Sequence, residues 1–466
     1  MENWTTEQRQ VIERPPQSNV VIASPGSGKT TVLTEHIVKV VRQDHIAPRS
    51  IMAITFTRQA AGHMRLKLFK QKQLSGRAIE SLRIGTFHAQ IFHALLELQP
   101  NIPVLLDAQE QSQIMRQALC NVRGTRRQTS YRDVTNCLTV YSSQSGGKTQ
   151  RIPRDIRRAL RNYEKLKARS NRWDYEDILR HAETALSNGQ SLPYFKSLEY
   201  LLVDEFQDTN HVQWNIVKFL HEQYGIPVFV VGDDDQSIYA FRGASPHFLQ
   251  TASTELRNAT QYMLSHNFRS DKTVVAHANS LIQHVAIRIP KPMQAVSSKQ
   301  GIVAVFGVLD ERSEVQLLRA ILQSMILRQK RITVGILART RRQLYNAWKM
   351  IVSMQRSLTH AQIECQLRTY HDSKGKEWDA VFLLDLFESE TSQSEDRCNE
   401  DEERRLFYVA LTRAKAVVVG FVPNMFKGHY VEPSGMLKQA DLCIEEVNAM
   451  AIERIIAALE KNGGVT

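Results

Sequence analysis

Apolar positions in this chain come in short blocks, not in strict alternation with polar ones. β-type runs occupy residues 20–23, 51–56, 200–203, 227–231, 303–306, 334–338, 380–384 and 416–421. Most are followed by a polar loop and then by helical spacing. That pattern predicts an α/β fold with parallel sheets, in which ligands sit at the carboxyl ends of the strands. The runs fall into two clusters, one before about residue 260 and one after about residue 300. Two α/β domains with a cleft between them are therefore expected.

Between the third and second blocks the pattern changes. Ile156, Leu160, Tyr163 and Leu166 have helical spacing, so residues 93–172 read as a mainly helical insertion. The predicted division is 1–92 and 173–265 for the first domain, 93–172 for the insertion and 266–466 for the second domain. Residues 388–403 are acidic and polar and predict a loop. Residues 441–461 predict an amphipathic helix that packs.

Composition narrows the class. A length of 466 residues favours more than one domain, and 42% hydrophobic residues is ordinary for a folded chain in water. No apolar run approaches the roughly eighteen residues that span a bilayer, so no membrane partner is expected. Residues 1–14 are polar and predict no secretory signal. The five cysteines (Cys120, Cys137, Cys365, Cys398 and Cys443) form no CxxC pair. That argues against a cysteine-built metal site and fits a reducing, cytoplasmic setting. The net charge is +12, and residues 116–172 alone hold fifteen Lys/Arg against Asp133, Asp155 and Glu164. Such a block suits a polyanion partner, or it is simply a solvated helical face.

The chemistry begins at Ala23-Ser-Pro-Gly-Ser-Gly-Lys-Thr30, which follows an apolar run and opens a helix. Gly26 and Gly28 allow a turn that points N–H groups at phosphate oxygens. Lys29 can neutralise β- and γ-phosphates, and the Thr30 hydroxyl can ligate Mg²⁺. The first position of the strict pattern is Gly, and here it is Ala23. Far downstream, Asp204 ends an apolar strand and can reach the same Mg²⁺, while Glu205 is placed to act as base toward a water. Gln236, in Gly232-Asp-Asp-Asp-Gln, can sense a γ-phosphate, and Asp233–Asp235 can cap the turn before it. Simple GTPases and small-molecule kinases also carry phosphate loops. Two further cations, Arg269 and Arg413, are candidates for groups that reach a γ-phosphate only on closure, an arrangement worth about 10³–10⁵ in rate.

These segments have an order that resembles one family. Gln8 in Trp4-Thr-Thr-Glu-Gln, the phosphate loop, Ile54-Thr-Phe-Thr-Arg, Gly85-Thr-Phe-His, Asp204-Glu-Phe-Gln-Asp, Gly232–Ala244, Asn267-Phe-Arg-Ser, Tyr370-His-Asp-Ser-Lys-Gly-Lys-Glu-Trp and Leu406–Lys415 follow one another as in UvrD/Rep-type superfamily 1 DNA helicases. The resemblance spans nearly the whole chain. It implies two RecA-like domains (P-loop NTPase), ATP and Mg²⁺ as cofactors, and movement 3′ to 5′ on single-stranded DNA. It places Ser24, Pro25, Ser27 and Thr31 with Gly26, Gly28, Lys29 and Thr30 around ATP. It gives Gln8 the adenine, Phe268 the stacking face on adenine, Glu377 the ribose, and Arg269 and Arg413 the finger role. Phe268 stands where the family has tyrosine.

For DNA, the resemblance implies that Phe56, Tyr239 and Phe241 stack on bases, with Phe241 in place of a tryptophan and Arg242 beside it. Each stacking step is worth about 1–3 kcal/mol. Thr57, Arg58, Thr86, His88, His371, Ser373 and Lys374 match positions that hold the strand or support that surface. Relative to the family the chain looks compact, lacking the second accessory (2B) subdomain and a partner-recruiting C-terminal extension. Single-stranded DNA and single-/double-strand junctions are the expected partners, in repair, recombination or replication. The alternative is a motor or ATP switch of a nuclease-containing complex, phage defence for example, with a nuclease or repair factor as protein partner.

Overall fold

The computed structural model describes residues 4–99, 101–123, 134–135, 137–138, 141, 153–190, 192–328, 331–388 and 397–462. The chain divides into two units. One comprises residues 1–23 and 29–264, the other residues 24–28 and 265–466.

The first unit is built on a six-stranded sheet. Its strands are β1 (Asn19–Ala23), β2 (Ile51–Thr55), β3 (Arg83–Thr86), β6 (Tyr200–Val203), β7 (Val228–Gly232) and β8 (Thr260–Leu264). A separate two-residue parallel pair joins β4 (Val104–Leu105) to β5 (Arg172–Trp173). The main order is β3-β2-β6-β7-β1-β8, and every pairing is parallel. β1, β2, β6 and β7 are buried along their whole length. Helices covering both faces of a parallel sheet account for the unbroken apolar runs. β3 and β8 have no such run. β8 opens on two exposed residues, which leaves only a short apolar stretch to read in sequence.

The insertion closes on itself through the β4–β5 pair. Helices Ala108–Arg123 and Arg154–Arg169 share a small apolar core containing Met115, Leu119, Ala159, Leu160 and Tyr163. On the second helix, Arg154, Arg157, Arg158, Arg161, Lys165 and Arg169 are exposed. Not all of the basic block faces outward. Lys167 is 2% exposed and its Nζ donates to Asp174 and Asp177, each at 2.7 Å. Removing one partner of such a buried pair costs about 3–5 kcal/mol. Much of the rest of the block, including Arg126, Arg127, Arg132, Lys148 and Arg151, lies outside the described residues.

The second unit carries a two-stranded parallel pair, β9 (His266–Asn267) with β10 (Gln294–Ala295), and a seven-stranded sheet. Its strands are β11 (Ile302–Asp310), β12 (Ile332–Ala338), β13 (Ile363–Thr369), β14 (Trp378–Leu383), β15 (Ala414–Phe426), β16 (His429–Tyr430) and β17 (Ile444–Glu445). The order is β13-β12-β14-β15-β11-β17, parallel throughout, with β16 antiparallel on β15. One helix, Tyr345–His360, connects β12 to β13.

Two expectations are corrected. The predicted acidic loop ends early, because helix Arg397–Leu411 takes up its last residues. Acidic groups in a first turn favour the helix dipole, and Leu406, Phe407 and Val409 anchor the helix in the core. Residues 389–396 of that run lie outside the described residues. The predicted C-terminal helix starts late, at Ala449, where the Asn448 Oδ1 accepts from the Ala451 N–H. Ile444 and Glu445 instead join the sheet edge as β17.

Candidate functional site

In the first unit the helix Lys29–Arg42 starts directly after the glycine loop. The first N–H groups of a helix have no intrahelical acceptor and carry the positive end of its dipole. Lys29 and Thr30 therefore stand where an anion is favoured. The loop needs its glycines. Gly26 has φ +66°, and a Cβ there would lie 2.8 Å from the Arg269 Cβ and 3.0 Å from the Asn267 Oδ1. Residues 24–28 group with the second unit, where the Asn267 Nδ2 donates to the Pro25 carbonyl at 2.9 Å and the Phe268 N–H donates to the Gly26 carbonyl. The Ser24 hydroxyl is buried without a hydrogen-bond partner.

Asp204 follows β6 and is 6% exposed. The Thr30 hydroxyl donates toward its Oδ2 at 3.5 Å. Burial and the neighbouring Glu205 push the Asp204 carboxyl up to about 7, against the pull of Lys29. A buried carboxylate short of positive charge beside a hydroxyl is a donor set that fits Mg²⁺. Glu205 has a left-handed backbone, φ +52°. A non-glycine residue held there is strained and is worth a functional reading. Its carboxylate accepts from the Gln207 Nε2 at 2.5 Å, and the Gln207 Oε1 accepts from the Asp233 N–H at 2.9 Å. The Asp233 carboxylate in turn holds the Gln236 amide at 2.5 Å. Glu205 and Gln236 are thus tied through Gln207 and Asp233. Asp233 also caps its turn by accepting from the Asp235 N–H. The role of Gln207, within Asp204-Glu-Phe-Gln-Asp208, is not readable from sequence, since a glutamine's partners are set only by folding.

Gln8 is buried. Its Oε1 accepts from the Thr5 N–H in a capping box that starts helix Thr6–Ile12. Thr31 accepts a hydrogen bond from the Lys67 ammonium.

In the second unit Arg269, Glu377 and Arg413 come together. The Arg269 Nε donates to the Glu377 carboxylate at 2.8 Å, and its Nη1 donates to the Thr412 carbonyl at 3.2 Å. Burial alone would raise the Glu377 carboxyl, but Arg269 brings it below the usual range. Arg413 is 2% exposed, and its Nε and Nη1 donate to the carbonyls of Val409 and Lys376. Phe268 is 47% exposed, with a face available for stacking.

The aromatic positions of the first unit also gather. Phe56 and Tyr239 stack with centroids 5.1 Å apart, and Phe241 meets Tyr239 edge-on at 5.9 Å. The Arg242 guanidinium lies over both Tyr239 and Phe241. Thr57 and Thr86 are N-caps, their hydroxyls accepting from the N–H groups of Ala60 and Ala89. Each sets a helix N-terminus at this surface. Tyr175, which sequence reasoning missed, links two predicted positions. Its hydroxyl is 3.5 Å from the Arg58 Nη2 and its ring packs edge-on against His88. Only its place after the cap Asp174 hints at this from sequence. Burial holds His88 neutral, its pKa near 4, and its Nε2 has no hydrogen-bond partner. In the second unit, His371 and Ser373 form a single helical turn ahead of Lys374. Ser373 is fully buried and donates to the Tyr370 carbonyl, so it supports that turn from beneath.

The model of the UvrD/REP helicase N-terminal domain matches residues 4–257, and that of the UvrD-like helicase C-terminal domain matches residues 350–419. A protein of Mycoplasma pneumoniae named probable DNA helicase is 28% identical over 94% of this chain and 87% of its own length. DNA helicase II of Escherichia coli is 28% identical over 68% of this chain and 45% of its own. ATP-dependent DNA helicase PcrA of Staphylococcus aureus is 26% identical over 74% of this chain and 48% of its own. The chain thus spans about half the length of these last two relatives.

Proposed function

The chain belongs to the UvrD/Rep family of DNA helicases, and from that premise we propose that it is an ATP-driven motor moving 3′ to 5′ on single-stranded DNA. The phosphates of ATP sit at the start of helix Lys29–Arg42, against Lys29. Thr30 and Asp204 would hold magnesium, whose charge would offset that of the phosphates. Glu205, oriented by Gln207, takes the proton of the attacking water. Gln236 reports the loss of the γ-phosphate through the same hydrogen-bonded chain. Arg269 and Arg413 stabilise charge on the transferring phosphoryl group, and Glu377 releases Arg269 for that role. Gln8 and Phe268 bind the base. The strand is held at Phe56, Tyr239, Phe241 and Arg242, at the caps Thr57 and Thr86 with Arg58 and His88, and at His371 and Lys374 on its support Ser373. Grip on base faces and phosphates gives little sequence preference and strong salt dependence.

The observation that carries this reading is the Phe56–Tyr239–Phe241–Arg242 cluster in the same unit as Lys29, Asp204 and Glu205. A stacked aromatic cluster with a guanidinium over its rings offers sequence-tolerant faces to the bases of a strand, as a nucleic-acid motor requires. The test is ATP turnover with and without oligo-dT. Wild type is expected to accelerate at least about tenfold, and Glu205→Gln to bind ATP without turning it over. A rate indifferent to DNA contradicts the proposal.

The single helix between β12 and β13 favours a second reading of the output. With so short a connection the motor translocates alone but unwinds duplex only with a protein partner in repair or defence. Fast translocation with slow unwinding of a 3′-tailed duplex supports it, and efficient unwinding by the lone chain excludes it.

A further inference from the structure

The helix Tyr345–His360, which connects β12 to β13, has two faces that differ from the usual pair. Ala347, Met350, Ile351, Met354 and Leu358 recur at helical spacing and are buried in the core of the second unit. A face opposite such a stripe is ordinarily polar. Here Tyr345 is 53% exposed, Trp348 51% and Val352 54%. Large apolar side chains at this spacing are neighbours on the helix surface, so they form one patch and not scattered exposures.

The two rings are ordered by each other. Tyr345 and Trp348 stack with centroids 6.1 Å apart at an angle of 21°, and the Lys349 ammonium lies 4.3 Å over the Tyr345 ring. The first unit builds the same arrangement from Phe56 and Tyr239, at 5.1 Å and 20°, with the Arg242 guanidinium 5.2 Å over Tyr239.

Charge selects the occupant. The helix contains no Asp or Glu. At its start the acids Glu311, Glu314 and Asp385 share a cavity with Arg341, Arg342 and Lys427, which balance them. Past that point the exposed face carries Lys349 and Arg356. Arg319, on the neighbouring helix Glu311–Leu327, joins them, its Nη2 donating to the Ser353 hydroxyl at 2.9 Å. Cations without acids favour a polyanion, and an aromatic face among them favours one with bases to stack. A partner helix lying along this face would need apolar anchors over its length, but beyond Val352 the exposed positions are Gln355, Arg356 and Thr359. The location agrees. The Arg341 guanidinium meets the Asp372 carboxylate at 3.6 Å, which ties the segment before the helix to the turn His371–Ser373, part of the proposed grip on the strand.

We infer that the exposed face of helix Tyr345–His360 is a further single-strand contact, with a base stacking on Trp348, which Tyr345 backs, and with phosphates held by Lys349, Arg356 and Arg319. The inference rests on the reading of the chain as a single-strand motor. It extends the track of the second unit from the His371–Lys374 turn along the helix, about 16 Å from Tyr345 to Arg356.

The experiment titrates the full chain with oligo-dT, followed by tryptophan emission and by anisotropy of a labelled strand. Of the five tryptophans, Trp348 alone is exposed. Oligo-dT is expected to quench the emission, and Trp348→Phe to remove most of the quench with the thermal midpoint unchanged. Trp348→Ala is expected to weaken binding at least about fivefold. Arg356→Ala is expected to lower the slope of log affinity against log salt by about one. A quench that survives Trp348→Phe, an affinity unmoved by Trp348→Ala or a slope unmoved by Arg356→Ala overturns the inference. If Tyr239→Ala still weakens binding in that case, the motor reading stands without it. Absence of oligo-dT binding by the wild-type chain overturns both. Emission from Trp348 that changes with protein concentration and not with oligo-dT also overturns the inference, and assigns the face to a second copy of the chain.

Discussion

Two sheets of identical strand order sit in one chain, and the residues that follow their corresponding strands differ in chemistry. At β1 and β6 the residues are Gly26, Gly28, Lys29, Thr30 and Asp204. At β11 and β14 they are Asp310, Glu314 and Asp385. The difference lies in the connection. Five residues with two glycines let the chain turn and leave the helix start to an anion, whereas an N-cap aspartate with no intervening loop supplies the anion itself. Strand order fixes where a site is located, and the loop decides what it binds.

The largest expected effect tests the second unit's part in the chemistry. Arg413→Ala is expected to cut DNA-stimulated ATP turnover by about 10³–10⁵ while ATP still binds. A loss of less than about tenfold would mean that this buried arginine only braces Val409 and Lys376.

The next compares the two sheets directly. Lys29→Ala is expected to reduce turnover by at least about 10²–10³, and Glu314→Gln to leave it unchanged. Equal losses would erase the distinction between the two edges.

A smaller effect is expected at the aromatic cluster. Tyr239→Ala should weaken single-stranded DNA binding by about 1–3 kcal/mol, measured by fluorescence anisotropy at fixed salt. An unchanged affinity would assign the ring to packing against Phe56.

The smallest expected effect is on stability. His36 is buried between the Ile12 carbonyl and the Tyr200 hydroxyl, and burial lowers its pKa to about 4, with Lys39 and Asp44 nearby. The unfolded chain binds a proton below about 6.5 and the folded chain does not, so stability falls as pH drops toward 4. Asp385 has the opposite sense. Burial, with Glu311 adding to it and Lys427 opposing it, raises its pKa to about 7, so the folded chain holds the extra proton and stability falls as pH rises from about 4 to 7. Denaturant midpoints at pH 5 and 7.5 should show His36→Gln losing about 2 kcal/mol of the wild type's acid sensitivity. Asp385→Asn should steepen the fall toward acid. Shifts of the same sign in both variants would break the contrast.

Legibility in the sequence followed the same physics. Strands buried on both faces, such as Tyr200–Val203, are continuous apolar runs and were readable. β3 and β8 are not continuous and were missed. The phosphate loop, Asp204 and Glu205 stand out as candidates in the sequence because backbone geometry and metal chemistry restrict residue type at fixed spacing. Gln207 and Tyr175 do not, because their roles depend on partners brought close only by folding. The hydrogen bond from the Asp385 N–H to the Glu314 carboxylate was equally invisible, since 71 residues separate two ordinary acids.

The most direct test of the account is displacement of streptavidin from biotinylated oligonucleotides. Driven by ATP, the wild-type chain is expected to strip streptavidin from a 5′-biotinylated strand far faster than from a 3′-biotinylated one, and Lys29→Ala to strip neither. Stimulated ATP turnover with no displacement from either end would contradict the motor and leave an ATP-dependent switch.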